Sequence, residues 1–158
     1  MTDMTQWLAQ AAIDPQAATA HWKAARPTPL TVGTRWDLAQ IGFGLACAAL
    51  TQLRAEGQHI GPYLMSGAER TVWFPLPLGT AYRLVGTRGV TVQPPGWELL
   101  APSPGRYLGN RLWIIPHTVH APTTLTATDD LCDALGAARR RLAGRATRAD
   151  ERTASDRP

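Results

Sequence analysis

The chain has few side chains of the kinds that do chemistry, and their spacing decides which chemistry is open. Phosphoryl or nucleotidyl transfer needs two or more carboxylates close enough to clamp divalent ions around the attacking and leaving oxygens. Asp37 stands in "WDLAQ", but its i+2 neighbour is Ala39, so there is no second acid at close spacing. Glu69 and Glu98 are the acids of the β-rich middle, and no motif pairs them. His117 and His120, in "PHTVH", have a metal-like i,i+3 spacing but follow a proline and have no Cys or carboxylate nearby, which favours surface histidines. His21 and His59 suggest no role. Ser66 and Ser103 lack a neighbouring His and lie outside any GxSxG elbow, which speaks against a hydrolase. Cys47 and Cys132 lack CxxC or Cys/His spacing and read as buried free thiols on helices. Neither a resident metal nor a cofactor is expected.

The basic residues are distributed unevenly. Residues 1–138 hold nine Lys/Arg against nine Asp/Glu, whereas 139–158 hold seven Arg against Asp150, Glu151 and Asp156. The net charge of +4 therefore belongs to the C-terminal segment. "RRRLAGRATR" can bind phosphates through charge alone, or can simply complement a helix C-terminus. In the balanced part, Arg70, Arg83, Arg88, Arg106 and Arg111 surround the β signals. They could line a single-strand groove if they share a face with an exposed Trp73 or Tyr107.

These residues need elements to position them. At 158 residues the chain fits one domain with a real core. Six scattered tryptophans read as core. The longest apolar run, Ile41 to Leu50, falls far short of the ~20 residues of a membrane span. No signal-peptide pattern opens the chain, so a soluble, cytoplasmic protein is expected. Two short helices are predicted over 4–25, the second capped by Asp14 with Pro15 at its first position. "LTVGT" reads as a strand. A long helix is predicted from about Trp36 to Glu56, with Gly42 and Gly44 explained by close helix packing. Five strands follow, in "GPYLMS", "TVWFPL", "GVTVQ", "WELLAPS" and "RLWIIP", with Pro75 and Pro77 marking an edge or a strand end. A last helix is predicted from Thr128 to Leu142, and disorder over 144–158. The order predicts an α+β fold with one largely antiparallel sheet, formed by residues 1–143.

Residues 89–116, "GVTVQPPGWELLAPSPGRYLGNRLWIIP", resemble the closing segment of the primase-polymerase (prim-pol) domain of bifunctional DNA primase/polymerases, of archaeo-eukaryotic primase type. Ala101-Pro102-Ser103 falls on a Pro-Pro-Ser-type element, and Tyr107, Trp113 and Pro116 on its final aromatic strand. "SGAERTVWF" falls on a Ser-Gly-Gly-x-x-His strand start, and "TVGTRWDLA" on the stretch that carries an acidic pair. The likeness spans about residues 30–116.

That resemblance implies a sheet bearing two acids at i and i+2, a third acid on a later strand and a phosphate-contacting histidine. The matching positions here are Asp37, Ala39, Thr91 and Thr71. One acid remains, as a relic, so the resemblance implies a catalytically degenerate member with no catalytic residue and no metal. The expected function is binding of nucleic acid or nucleotide without polymerisation, in the replication of DNA on a plasmid, phage or other mobile element. Ser66, Arg70, Ser103, Arg106 and Arg111 are the expected contact residues. The alternative is a protein-interaction or regulatory module that retains only the fold, with a replication or regulatory protein as partner.

Overall fold

A computed structural model describes residues 2–116, 121 and 123–155. Helices α1 (Thr2–Ala9) and α2 (Pro15–Lys23) precede strand β1 (Thr28–Thr31). Strand β2 (Asp37–Gly42) runs into helix α3 (Phe43–Ala55), and β3 (Tyr63–Ser66) and β4 (Thr71–Leu76) form a hairpin. A 3-10 turn (Ala81–Leu84), β5 (Val90–Val92), β6 (Glu98–Ala101), β7 (Leu112–Ile114) and helix α4 (Thr128–Ser155) complete the order. Every strand pairing is antiparallel, giving an α+β fold with helices at both ends. The strands form two sheets, where the sequence predicts one: a five-stranded sheet, β5-β2-β4-β3-β7, and a β1-β6 ribbon.

The register divides the large sheet into two faces, because directly paired residues point the same way. Ala39, Ile41, Val72, Phe74 and Leu76 pack with α3, α4 and the 3-10 turn in one core. Leu38, Leu64, Trp73 and Trp113 pack on the other face with Met4, Leu8, Trp22, Leu30 and Leu99 of the N-terminal helices and the ribbon, and with Trp36 of the β1–β2 connection. Four of the six tryptophans, Trp22, Trp36, Trp73 and Trp113, are buried in this second core. Side chains also fix the ribbon to it. The indole N–H of Trp22 donates to the Ala101 carbonyl (3.0 Å), and that of Trp113 to Pro102 (2.9 Å).

Several local expectations change. Residues 37–42, predicted as the first turns of a helix, form β2. This strand lies between β5 and β4 with both faces covered, and Leu38, Ala39 and Ile41 are all 0% exposed. A strand buried on both faces loses the alternation that identifies strands in sequence. Gly42 is the N-cap of α3, and a Cβ at Gly42 or Gly44 would meet nothing within 4 Å, so neither serves close helix packing. Pro75 sits in a central strand opposite Leu38, but β3 pairs only as far as Trp73, so the missing N–H falls past the end of β3. Cys47 is exposed on α3 rather than buried, and Cys132 is half-buried on α4.

Helix α4 does not stop at Leu142. It continues through Gly144 to Ser155, over residues predicted to be disordered. One interior glycine costs about 1 kcal/mol of helix stability, and Ala143, Ala146 and Ala149 around it are strong helix formers. Among the described residues, no helix is long and apolar enough to cross a membrane. His117 and His120 lie outside the described residues.

Candidate nucleic-acid interface

The four positions that the resemblance assigns to nucleotidyl transfer do not converge. Asp37 and Ala39 lie on the helix-covered face of β2, where Ala39 is 0% exposed in the core. Thr71 pairs with Gly42, and Thr91 with Gln40, which puts both on the opposite face. Asp37 has structural work instead. Its Oδ2 accepts the N–H of Ala81 at 3.0 Å, anchoring the first residue of the 3-10 turn. It is therefore a strand residue holding another element, not the first-turn acid of a helix. Glu69 lies beyond the other end of the same strand pair, because Asp37 opposes Leu76 whereas Gly42 opposes Thr71. Five residues of strand, about 17 Å, separate the two ends. Glu98 is on the ribbon, opposite Thr31. No group of three or more His, Cys, Asp or Glu able to hold a metal ion occurs among the described residues.

The end of β3 and the turn after it carry Ser66, Glu69 and Arg70. Ser66 is 0% exposed, and its Oγ accepts the Glu69 N–H (3.1 Å), so the hydroxyl closes the hairpin turn. Arg70 adopts φ of 51°, its carbonyl accepts the N–H of Phe43 (2.9 Å), and its side chain is exposed. Arg111 is fully engaged. Its Nε and one terminal nitrogen donate to the two oxygens of Glu69, both at 2.9 Å. Its other terminal nitrogen donates to the Leu100 carbonyl at 2.6 Å. The guanidinium stacks 4.4 Å from the centroid of the Trp73 ring. The hydrogen bond from Arg111 holds the Glu69 carboxyl below the usual carboxylate range. Arg111 thus ties the β3–β4 turn, the ribbon and the sheet together, and its charge is neutralised locally.

Ser103 and Arg106 form a separate turn after β6, in which the Ser103 carbonyl accepts the Arg106 N–H (3.3 Å). Arg106 and Tyr107 are exposed, and the Tyr107 hydroxyl donates to Asn110 (3.1 Å). Trp73 is only 2% exposed. A groove combining Arg111 with an exposed Trp73 is therefore not formed. Arg70 and Arg106 are exposed on two different turns and have no ion-pair partner among the described residues.

The densest basic surface is on α4. Leu131, Ala134, Leu135 and Ala138 pack into the core, and past them the helix carries five arginines between 139 and 148 with no acid among them. Arg139 donates to the carbonyl of Arg88. Arg140, Arg141, Arg145 and Arg148, with Ala137, Gly144 and Gln52 of α3, line an open cleft of about 560 Å³. Among the described residues none of these four arginines has an ion-pair partner. The charge run was visible in the sequence, but the predicted helix end at Leu142 hid the face it makes. No family model, curated protein or solved structure matches the chain.

Proposed function

We propose that this chain is a catalytically inactive, primase-polymerase-like domain that binds nucleic acid through the arginine face of α4, in the setting of DNA replication or a mobile element. The observation that carries the reading is the cleft lined by Arg140, Arg141, Arg145 and Arg148, which gathers four cations, none of them ion-paired among the described residues, on one helix. Phosphate backbones are the matching polyanion, and guanidinium groups suit phosphate geometry. The absence of polymerisation is supported by Asp37 and Ala39 facing one side of the sheet and Thr71 and Thr91 the other.

A second reading, a protein-interaction module, is favoured by one feature. Leu78, Tyr82 and Val85 are 52%, 65% and 68% exposed on a single segment around the 3-10 turn.

The test is fluorescence anisotropy with labelled single-stranded and duplex DNA across a salt series, alongside primer extension with Mg²⁺. Binding that weakens as salt rises, with no extension, is expected. Extension, or no binding of either single-stranded or duplex DNA at any salt, would refute the proposal. Binding to a protein partner through a surface that a Tyr82→Ser change abolishes would favour the second reading.

A further inference from the structure

The arginines of α4 are not spread around the helix. Arg141, Arg145, Arg148 and Arg152 follow the spacing i, i+4, i+7, i+11. At ~100° per residue they fall within a stripe about 60° wide, and at ~1.5 Å per residue the stripe is about 16 Å long. All four are exposed. Such a stripe is unfavourable by itself. Arg141/Arg145 and Arg148/Arg152 are i,i+4 like-charge pairs and Arg145/Arg148 an i,i+3 pair, each costing the helix about 0.2–0.5 kcal/mol. An external row of anions would add attractive terms that offset these repulsions.

The surroundings favour one class of polyanion. Single-strand binders combine cations with aromatic platforms on which bases stack. The cleft beside the stripe is lined by arginines, Ala137, Gly144 and Gln52, with no aromatic among the described residues. Exposed Tyr107 is instead on the connection between β6 and β7. A site offering guanidinium groups and no stacking platform suits a ligand whose bases are already stacked on each other. Beyond Leu142 the helix continues for about 20 Å, and Ala143, Ala146, Thr147 and Ala149 are small and exposed. A helix ~10–12 Å across fits the ~12 Å major groove of B-form DNA and not the narrow major groove of A-form RNA.

From this we infer that α4 is a duplex-DNA-binding arm whose stripe Arg141, Arg145, Arg148 and Arg152 runs along the phosphates of one strand. The inference rests on the nucleic-acid reading above and adds the ligand's form and the residues that touch it. Gln52 forms the α3 wall of the cleft where the arginines begin, and its side chain is held in place by donating to Glu56 (2.5 Å).

The experiment compares a labelled DNA duplex of about 20 base pairs, one of its strands alone, and the RNA duplex of the same sequence. The full chain, R145Q/R148Q and the control R70Q/R106Q are titrated by anisotropy across a salt series, with circular dichroism at 222 nm as the folding check. The DNA duplex is expected to bind at least about tenfold tighter than either alternative. Its log K should fall against log salt with a slope of about −3.6, that is, about 0.9 for each of four phosphate contacts. R145Q/R148Q should reduce that slope by about 1.8 while R70Q/R106Q leaves it unchanged. Equal affinity for the single strand or the RNA duplex would overturn the duplex-DNA arm and leave nucleic-acid binding intact. Binding lost in R70Q/R106Q but retained in R145Q/R148Q would overturn the site. No binding of any probe would overturn both this inference and the function it rests on.

Discussion

At the scale of single residues, Arg111 and Asp37, read from the sequence as a contact residue and a relic acid, hold the structure together. Arg111 makes a bidentate pair with Glu69, a bond to the Leu100 carbonyl and a stacked contact with Trp73. Replacing it with Ala should destabilise the fold by about 2 kcal/mol, since charged hydrogen bonds and a stacked guanidinium are both lost. Arg111→Lys should recover part of this, because charge remains but the fork geometry does not; thermal unfolding measures both. The pair also sets a pH dependence. Arg111 lowers the Glu69 pKa in the folded state, so this stabilisation is fully present above the ordinary carboxylate pKa. It is lost as pH falls through the lowered folded value. With the Glu69 side chain 45% exposed, the effect is small and screened by salt. Arg111→Ala should remove that part of the acid-side loss, seen as a flatter stability profile at low pH. Asp37 allows a parallel test. Asp37→Ala leaves the Ala81 N–H without its carboxylate and should cost about 1–2 kcal/mol in urea unfolding. DNA affinity should be unchanged, whereas a relic metal ligand working in binding would predict its loss.

At the scale of elements, α4 divides into a packed half and a projecting half. Leu131, Ala134, Leu135 and Ala138 hold it to the core, whereas residues 145–149 are exposed. A chain ending at Leu142 should therefore keep its cooperative unfolding transition within a few degrees and lose DNA affinity by at least about tenfold, because most of the proposed phosphate contacts go with the removed segment. A collapse of the transition would show that the arm is part of the core. The junction before α4 is tighter. A Cβ at Gly61 would lie 2.5 Å from the Thr124 carbonyl oxygen and 2.7 Å from the Thr126 nitrogen, and the Gly61 N–H donates to Thr126 Oγ1 (2.9 Å). Gly61→Ala should cost about 1–3 kcal/mol by overpacking, measured as a lower urea midpoint. The strands were legible where a strong turn bounds them. "TVWFPL" is β4 and "YLMS" is β3, and Asp14-Pro15 marks the start of α2. β2 was hidden because Leu38, Ala39 and Ile41 are buried on both faces and look like a continuation of the alanine-rich helix that follows. The arm was hidden because a polar, arginine-rich stretch after Gly144 has the composition of a disordered tail, although its Ala and Arg residues are good helix formers.

At the scale of the whole molecule, covered sheet faces decide what surface is left for function. α3, α4 and the 3-10 turn occupy one face of the five-stranded sheet, and α1, α2 and the β1-β6 ribbon pack on the other. The surface sites read from the sequence are scattered over separate turns, while the charge excess is gathered on the C-terminal half of one helix. Residues 1–138 are balanced at nine Lys/Arg and nine Asp/Glu, so long-range attraction of a polyanion acts through the C-terminal segment. The most direct test is hydrogen–deuterium exchange of the full chain with and without saturating DNA. Slowed exchange over residues 139–152, with the turns at 66–74 and 103–111 unchanged, is the predicted footprint. Protection centred on those two turns, with α4 exchanging as in the free protein, would contradict an α4 interface.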